Sequence, residues 1–256
     1  MKTTEHQLHF TDARTLKEIE DESVHLIVTS PPYPMIGMWD EIFTEMSAEV
    51  GDALADGDGQ SAFRLMHVEL EKVWSECFRV LRDGGMLCMN IGDATRTLDG
   101  NFQLWSNHSQ MISQCLRLGF RNLPNILWRK PTNSPTKFMG SGMLPPGAYV
   151  TLEHEYILIF RKGGKRKFQT DGEKQTRRES AFFWEERNRW FSDVWTDLRG
   201  VGQEINETKL RKRSGAFPFE LAYRLINMFS VKGDLVLDPF LGTGTTMFAA
   251  MIAGRS

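Results

Sequence analysis

Membrane-length apolar runs, paired cysteines and a surplus of basic charge are all missing from this chain of 256 residues. No hydrophobic run approaches the length that crosses a bilayer, and Met1-Lys-Thr-Thr-Glu-His6 holds no signal-peptide core. Neither a membrane partner nor an export route is therefore expected. The three cysteines, Cys77, Cys88 and Cys115, show no C-x-x-C spacing. That argues against a zinc site and against a disulfide framework, and it suits a reducing cytoplasm; no metal is expected. Internal repeats are absent too, and a net charge of −2 gives no overall basic excess to announce nucleic acid. What remains is the composition of an ordinary globular protein, 41% hydrophobic and 25% charged. It is enough for one sizeable domain with a small appendage.

Residues 24–28 form a short apolar run that reads as a buried parallel strand, and Thr29-Ser30-Pro31-Pro32-Tyr33 comes directly after it. A Pro-Pro step cannot continue a strand ladder, because proline has no N–H to donate. Each residue before a proline is pushed toward extended geometry, which holds Ser30 and Pro31 out straight. The Ser30 hydroxyl and the Pro31 carbonyl are then two neighbouring acceptors on a stiff loop, with the ring of Tyr33 beside them. An exocyclic amino group on a flat heterocycle matches that set: two N–H bonds for two acceptors, and a ring to stack on Tyr33. A plain proline-rich turn after a strand accounts for the pentapeptide equally well.

The other informative stretch, residues 235–246, runs from an apolar strand through Asp238-Pro239-Phe240-Leu241-Gly242-Thr243-Gly244-Thr245-Thr246 into a helix expected over 247–253. Gly242 and Gly244 let the backbone approach a ligand closely. The N-terminus of the new helix offers N–H groups to an anion such as a carboxylate. A dinucleotide fingerprint would place a third glycine where Met247 stands, and a phosphate-binding P-loop would place lysine where Thr245 stands. Both are excluded residue by residue.

Ser30-Pro31-Pro32-Tyr33 far upstream of Asp238-Pro239-Phe240-Leu241-Gly242-Thr243-Gly244-Thr245-Thr246 resembles the amino-methylating DNA methyltransferases. The catalytic motif comes first and the cofactor motif last, as in their circularly permuted beta group. The resemblance covers nearly the whole chain. It implies an α/β fold: a Rossmann-like, twisted and mostly parallel sheet with helices on both faces and a small DNA-recognition insertion. It implies S-adenosyl-L-methionine as cofactor, bound through Asp238, Pro239, Phe240, Gly242, Gly244, Thr245 and Thr246. Phe217 and Pro218 would close over its methionine end, and Asp12 would contact its adenine, although Asp12 also reads as a helix N-cap. It implies Ser30, Pro31, Pro32 and Tyr33 as the catalytic set acting on a base flipped out of double-stranded DNA. Serine in the first motif position implies the cytosine amino nitrogen; the alternative is adenine N6, where the family mostly carries aspartate. A cognate restriction endonuclease is a frequent companion in this family, and a homodimer stays open. The resemblance further implies a strand after residue 256 that ends in an acid for the cofactor ribose.

Between these anchors the local patterns are plainer. Residues 8–12 read as a short strand. Residues 40–60 hold seven Asp or Glu and no Lys or Arg, and read as a solvated loop. Residues 63–81 show a helical apolar period, residues 86–91 a buried strand, and residues 103–118 a further helix. Asn90 and Asp93, at the carboxyl end of that strand where ligands sit in open α/β sheets, read as turn formers in preference to supporting residues of a site. Residues 125–130 and 154–160 read as an antiparallel pair at the sheet edge. Between them, residues 131–149 are rich in Pro, Gly, Ser and Asn, with Asn133, Ser134, Thr136 and Lys137 suited to phosphate or base.

Charge changes sign in residues 161–215, which hold 15 Lys or Arg against nine Asp or Glu, a net of +6, against −8 for the rest. Arg177, Arg178, Arg187 and Arg189 there alternate with aromatics, a footprint of nucleic-acid contact. A small hydrophobic subdomain with solvated charges is the competing reading. The expected organisation is residues 1–162 as the catalytic part, 163–215 as the target-recognition region, and 216–256 as the cofactor part of the same domain. The rival functions are a methyltransferase acting on protein glutamine or RNA, and a DNA-binding module without catalysis.

Overall fold

A computed structural model describes residues 3–130, 140–200 and 217–256. The chain runs β1 (Val24–Thr29), α1 (Asp40–Met46), α2 (Ala48–Ala55), α3 (Gly59–Val80), β2 (Leu81–Ile91) and the hairpin β3 (Ala94–Leu98) and β4 (Asn101–Trp105). It continues through α4 (Asn107–Arg117), β5 (Phe120–Asn122), β6 (Ile126–Arg129), β7 (His154–Lys162), α5 (Asp171–Glu179), α6 (Trp184–Trp190) and β8 (Val194–Trp195). It finishes with α7 (Phe219–Phe229), β9 (Val236–Leu237) and α8 (Thr245–Ala253).

A seven-stranded sheet is ordered β8-β6-β7-β2-β1-β9, with β5 also paired to β7. Strand alternation gives it two apolar faces. Leu87, Met89, Leu158 and Phe160 face α3 and α4, while Leu26, Val28, Cys88, Ile157 and Ile159 face α7 and α8. Helices thus cover both faces, as expected of a Rossmann-like methyltransferase sheet. The long helix α3 buries Met66, Leu70, Val73, Trp74, Cys77 and Val80 at helical spacing. Its start is set by Asp58, which accepts from the Ser61 N–H at 3.0 Å. All three cysteines are buried, and burial pushes their thiols up, away from the nucleophilic thiolate.

Several expectations are corrected. The sheet is mixed rather than mostly parallel: β1 runs parallel to β2 and β9, but β7 runs antiparallel to β2, β5 and β6. The β6–β7 pair forms, yet it does not lie at the edge, because β7 sits against β2 and β8 extends the sheet beyond β6. Residues 8–12 form no strand; their backbone enters a turn in which the Arg14 N–H donates to Asp12. The acidic stretch folds into α1 and α2, anchored by the fully buried Phe43 and Val50. Residues 103–105 belong to β4, not to a helix. Asp99 and Gly100, with φ of 46° and 73°, make the two-residue hairpin turn that requires positive φ at both positions.

Candidate active site

β1 supplies the frame. Thr29 at its end pairs with Met89 of β2, and Ile27 pairs with Leu237 of β9. The loop that begins at Ser30 and the turn that begins at Asp238 therefore leave the sheet side by side, at the carboxyl ends of parallel strands, where ligands sit in open α/β sheets. The Thr29 hydroxyl donates to Asp238 Oδ1 at 2.6 Å, and the Phe240 N–H donates to the same oxygen at 3.1 Å. The Thr246 hydroxyl donates to the Val28 carbonyl at 3.1 Å, fastening the start of α8 to β1. Burial raises the Asp238 carboxyl above the usual range, against the opposing hydrogen bond from Thr29.

Ser30 is partly exposed, whereas Pro31, Pro32 and Tyr33 are buried. Among the described residues none donates to the Pro31 carbonyl. Tyr33 is only 9% exposed, and its ring packs so closely on Gly92 that a Cβ there would lie 3.0 Å from Tyr33 Cε2. The open aromatic face expected of Tyr33 is thus mostly covered. Its hydroxyl points inward, donating to Glu155 Oε2 at 3.0 Å and accepting from Asn90 Nδ2 at 2.9 Å and Ser30 Oγ at 3.3 Å. Asn90 also donates to Glu155 Oε2 at 2.7 Å, and Lys130 Nζ meets Glu155 Oε1 at 2.8 Å. Burial, then the Glu155 charge, raises the Tyr33 phenol well above its ordinary value.

The roles expected of Asn90 and Asp93 diverge. Asn90 is bound into the Ser-Pro-Pro-Tyr loop and is not a turn former. Asp93 holds His108, accepting from its backbone N–H at 3.1 Å and facing its Nδ1 at 2.8 Å. Past the loop, Met35 adopts a φ of 66° while fully buried, a strained geometry of the kind found at functional sites. The Pro34 carbonyl accepts from Asn107, whose Oδ1 faces His67 Nε2 at 3.0 Å.

A cleft of about 520 Å³ runs along the open side of β9. Asp238, Pro239, Leu241, Thr246 and Met247 wall one side and residues of the 5–23 segment the other. Of the expected cofactor set, Asp238, Pro239 and Thr246 line this cleft. Gly242 and Gly244 stand in the adjoining turn with φ of 56° and 78°, Gly244 capping α8, and Thr245 is the helix's first residue. The Phe240 ring meets Trp74 edge-on at 6.0 Å. Phe217 and Pro218 are buried ahead of α7, and Phe217 belongs to the core behind the sheet, away from the cleft lining. Asp12 is committed to Arg14 at 2.6 Å and caps no helix. That pairing lowers its carboxyl.

In the basic segment, Arg177 and Arg178 lie exposed in the last turn of α5, with Arg177 over the Phe168 ring at 4.9 Å. Arg187 lies over Trp184 and Phe191, and Arg189 pairs with Asp197 at 2.9 Å. Trp190 and Trp195 are core, while Phe183 and Trp184 are 77% and 70% exposed. Lys137 and its polar neighbours Asn133, Ser134 and Thr136 lie outside the described residues.

The sequence reading missed Glu155 and Lys130. The only signal was a glutamate at the head of an otherwise apolar strand, His154-Glu155-Tyr156-Ile157-Leu158-Ile159-Phe160.

Comparison with known proteins agrees with this geometry. The family model described as DNA methylase matches residues 24–256. Type II methyltransferase M.MthZI of Methanothermobacter thermautotrophicus is 59% identical over 257 residues, covering 100% of this chain and 72% of that protein. Type II methyltransferase M.MjaI of Methanocaldococcus jannaschii is 51% identical, covering 99% of this chain and 86% of that one. Among solved structures, a candidate DNA modification methylase from Thermus thermophilus, complexed with S-adenosyl-L-methionine, superposes with a TM-score of 0.74 at 36% identity. That alignment covers 98% of this chain and 85% of the other. A cytosine-N4-specific PvuII DNA methyltransferase shares the fold, with a TM-score of 0.56 at 18% identity, over 96% of this chain and 78% of that one. The strand-end loop, the glycine-rich turn beside it and these matches agree: the chain belongs to the DNA methylase family of N4/N6 amino-methyltransferases and uses S-adenosyl-L-methionine.

Proposed function

We propose that this chain is a Type II DNA methyltransferase of the permuted beta group, moving a methyl group to the exocyclic amino group of a flipped-out base in double-stranded DNA, cytosine N4 in preference to adenine N6. The observation that carries the reading is the Thr29–Asp238 hydrogen bond, which sets the Ser30–Tyr33 loop and the Asp238–Thr246 turn side by side. An amine at one and a methyl donor at the other would then be neighbours, and much of the rate would come from that positioning.

The residues present fit the cofactor. The cleft is of ligand size, and the α8 N-terminus carries no side-chain cap, so its backbone N–H groups can take a carboxylate. Asp238 and Thr246 would hold the shape of the turn, and Pro239 would wall the cleft. S-adenosyl-L-methionine, when bound, supplies an electrophilic methyl group on its sulfonium. On the substrate side, Ser30 Oγ and the Pro31 carbonyl would accept the two amino N–H bonds. Pro32 would keep the loop stiff, and Tyr33 would back the base-holding loop. We assign residues 163–215 as the target-recognition region, with Arg177, Arg178, Arg187 and Arg189 as its DNA contacts. A cognate restriction endonuclease would accompany a Type II enzyme.

The preference for cytosine rests on Ser30. Reaction with labelled cofactor on mixed-sequence duplex DNA, followed by nucleoside digestion and mass spectrometry, tests it. N4-methylcytosine is expected; label found only in methyladenosine would reassign the base and leave the rest intact. Ser30→Ala should lower single-turnover transfer strongly while cofactor affinity stays nearly unchanged, and near wild-type turnover would remove Ser30 from the mechanism.

A further inference from the structure

We propose that Glu155 sets the proton direction of a hydrogen-bond chain, Ser30 to Tyr33 to Glu155, so that Ser30 meets the substrate amine as an acceptor only. This rests on the reading of Ser30 as the residue that holds the target amine.

Each proton in the chain has one place to go. A phenol has a single proton, and that of Tyr33 goes to Glu155 Oε2 at 3.0 Å. An ionised carboxylate can only accept, and here it accepts from Tyr33, from Asn90 Nδ2 at 2.7 Å and from Lys130 Nζ at 2.8 Å. The Tyr33 oxygen in turn accepts from Asn90 Nδ2 at 2.9 Å. Rotating the Asn90 amide by half a turn would set its oxygen 2.7 Å from Glu155 Oε2, acceptor against acceptor, so the amide orientation is fixed. Asn90 Oδ1 is left buried with no partner among the described residues, so the site keeps this orientation despite an unmade hydrogen bond. With its own proton committed, Tyr33 can only accept from Ser30, 3.3 Å away. The serine proton therefore points inward and the serine lone pairs point out.

A serine hydroxyl is ambivalent by itself, able to donate or accept. The exocyclic amine of a base offers only N–H bonds, because its lone pair is delocalised, while the adjacent ring nitrogen of cytosine or adenine is an acceptor. An acceptor-only serine binds the amine and is repelled by the ring nitrogen. Glu155 thus gives Ser30 the hydrogen-bonding character of a carboxylate without placing a charge beside the reacting atoms. Glu155 touches no substrate; it is a positioning residue that acts through Tyr33.

Glu155→Gln reverses the logic, because an amide can donate to Tyr33 and free the phenol proton to turn toward Ser30. Single-turnover methyl transfer to duplex DNA is measured for the wild type, Glu155→Gln, Tyr33→Phe and the double variant, beside cofactor titrations and melting curves. Glu155→Gln is expected to lose about tenfold in rate with cofactor affinity within about twofold, and the double variant to fall no more than about twofold below the worse single one. A merely structural Glu155 would give losses that multiply, or a fall in cofactor affinity, and either result overturns the proposal. If Glu155→Gln does not melt cooperatively, Tyr33→Phe decides alone: it cuts the chain, and a rate within about twofold of wild type overturns the proposal. A wild type that transfers no label to DNA overturns the underlying function reading, whereas an active wild type indifferent to Glu155→Gln overturns this inference only.

Discussion

The Thr29 hydroxyl and the Asp238 carboxylate lie 2.6 Å apart although 209 residues separate them in the chain. The bond ties the two motifs directly, and Thr29 itself is 1% exposed. Thr29→Val keeps the shape of the side chain and removes the donor. It should destabilise the fold by about 1–3 kcal/mol, the usual loss for a buried hydrogen bond to a charged group. It should also weaken cofactor binding, because the 238–246 turn loses its tether. Denaturant unfolding beside a calorimetric titration checks both, and an unchanged unfolding midpoint would show that the bond holds nothing.

His67 makes the fold acid-sensitive. Burial pushes its imidazole down to about 4 from an ordinary 6.5, while Asn107 and Gln114 oppose that shift. The unfolded chain takes up the proton more readily than the folded one. Stability from this group is therefore whole above pH 6.5 and drains as pH falls toward 4, by about 3 kcal/mol in all. Melting temperature should decline between pH 6.5 and 5 in the wild type, and His67→Leu should flatten that slope whatever its starting stability. Parallel slopes would assign the acid sensitivity to other groups.

Gly244→Val should abolish cofactor binding while the chain still folds. A Cβ at this position meets only Met247 Cε at 3.7 Å, so crowding inside the protein is not the obstacle. The obstacles are a φ of 78°, which strains a branched residue by about 1–3 kcal/mol, and a side chain placed at the α8 N-terminus. Calorimetry with S-adenosyl-L-methionine, controlled by a melting curve, reads the outcome. Wild-type affinity would make the turn purely structural.

The arginines of the basic segment should not contribute equally to DNA binding. Arg177 and Arg178 are exposed at the end of α5, whereas Arg189 is already paired with Asp197. Arg178→Ala should reduce the slope of log affinity against log salt by about one phosphate contact, and Arg189→Ala by less. Uniform weakening across DNA sequences would mark a phosphate contact, and relaxed preference a base contact. If neither variant changes the slope, the DNA surface lies elsewhere.

The central strands and the two motifs were legible because each is a local pattern. The apolar runs ending in Thr29, Ile91 and Leu237 announce buried strands, and the prolines and glycines next to them announce a stiff loop and a tight turn. The Ser-Pro-Pro-Tyr loop was legible as a motif but not as geometry. Nothing local says that the Tyr33 hydroxyl turns inward, since its partners, Asn90 and Glu155, lie 57 and 122 residues away. Glu155 was invisible for the same reason: in sequence it is one polar residue starting a strand. Charge alone does not predict the acidic stretch, because the apolar Phe43 and Val50 are enough to seat two short helices. Asp99-Gly100 is the local turn signal for the hairpin, and β4 runs into α4 with one residue, Ser106, between them, so the helical period shows no break.

The sheet order also has a consequence for the chain as it leaves the ribosome. β1 is made before every other strand of the sheet, yet one of its two neighbours, β9, is made after all of them. Until residues 236–237 emerge, the apolar strand Val-His-Leu-Ile-Val-Thr keeps one row of backbone N–H and C=O groups unmatched, an edge that another strand can claim. Closure of that gap is a contact of very high sequence separation, the slow kind. The nascent protein therefore carries a sticky edge for as long as it takes to make everything between β1 and β9, and the pairing that finally covers it also brings Asp238 and Pro239 to the wall of the cleft.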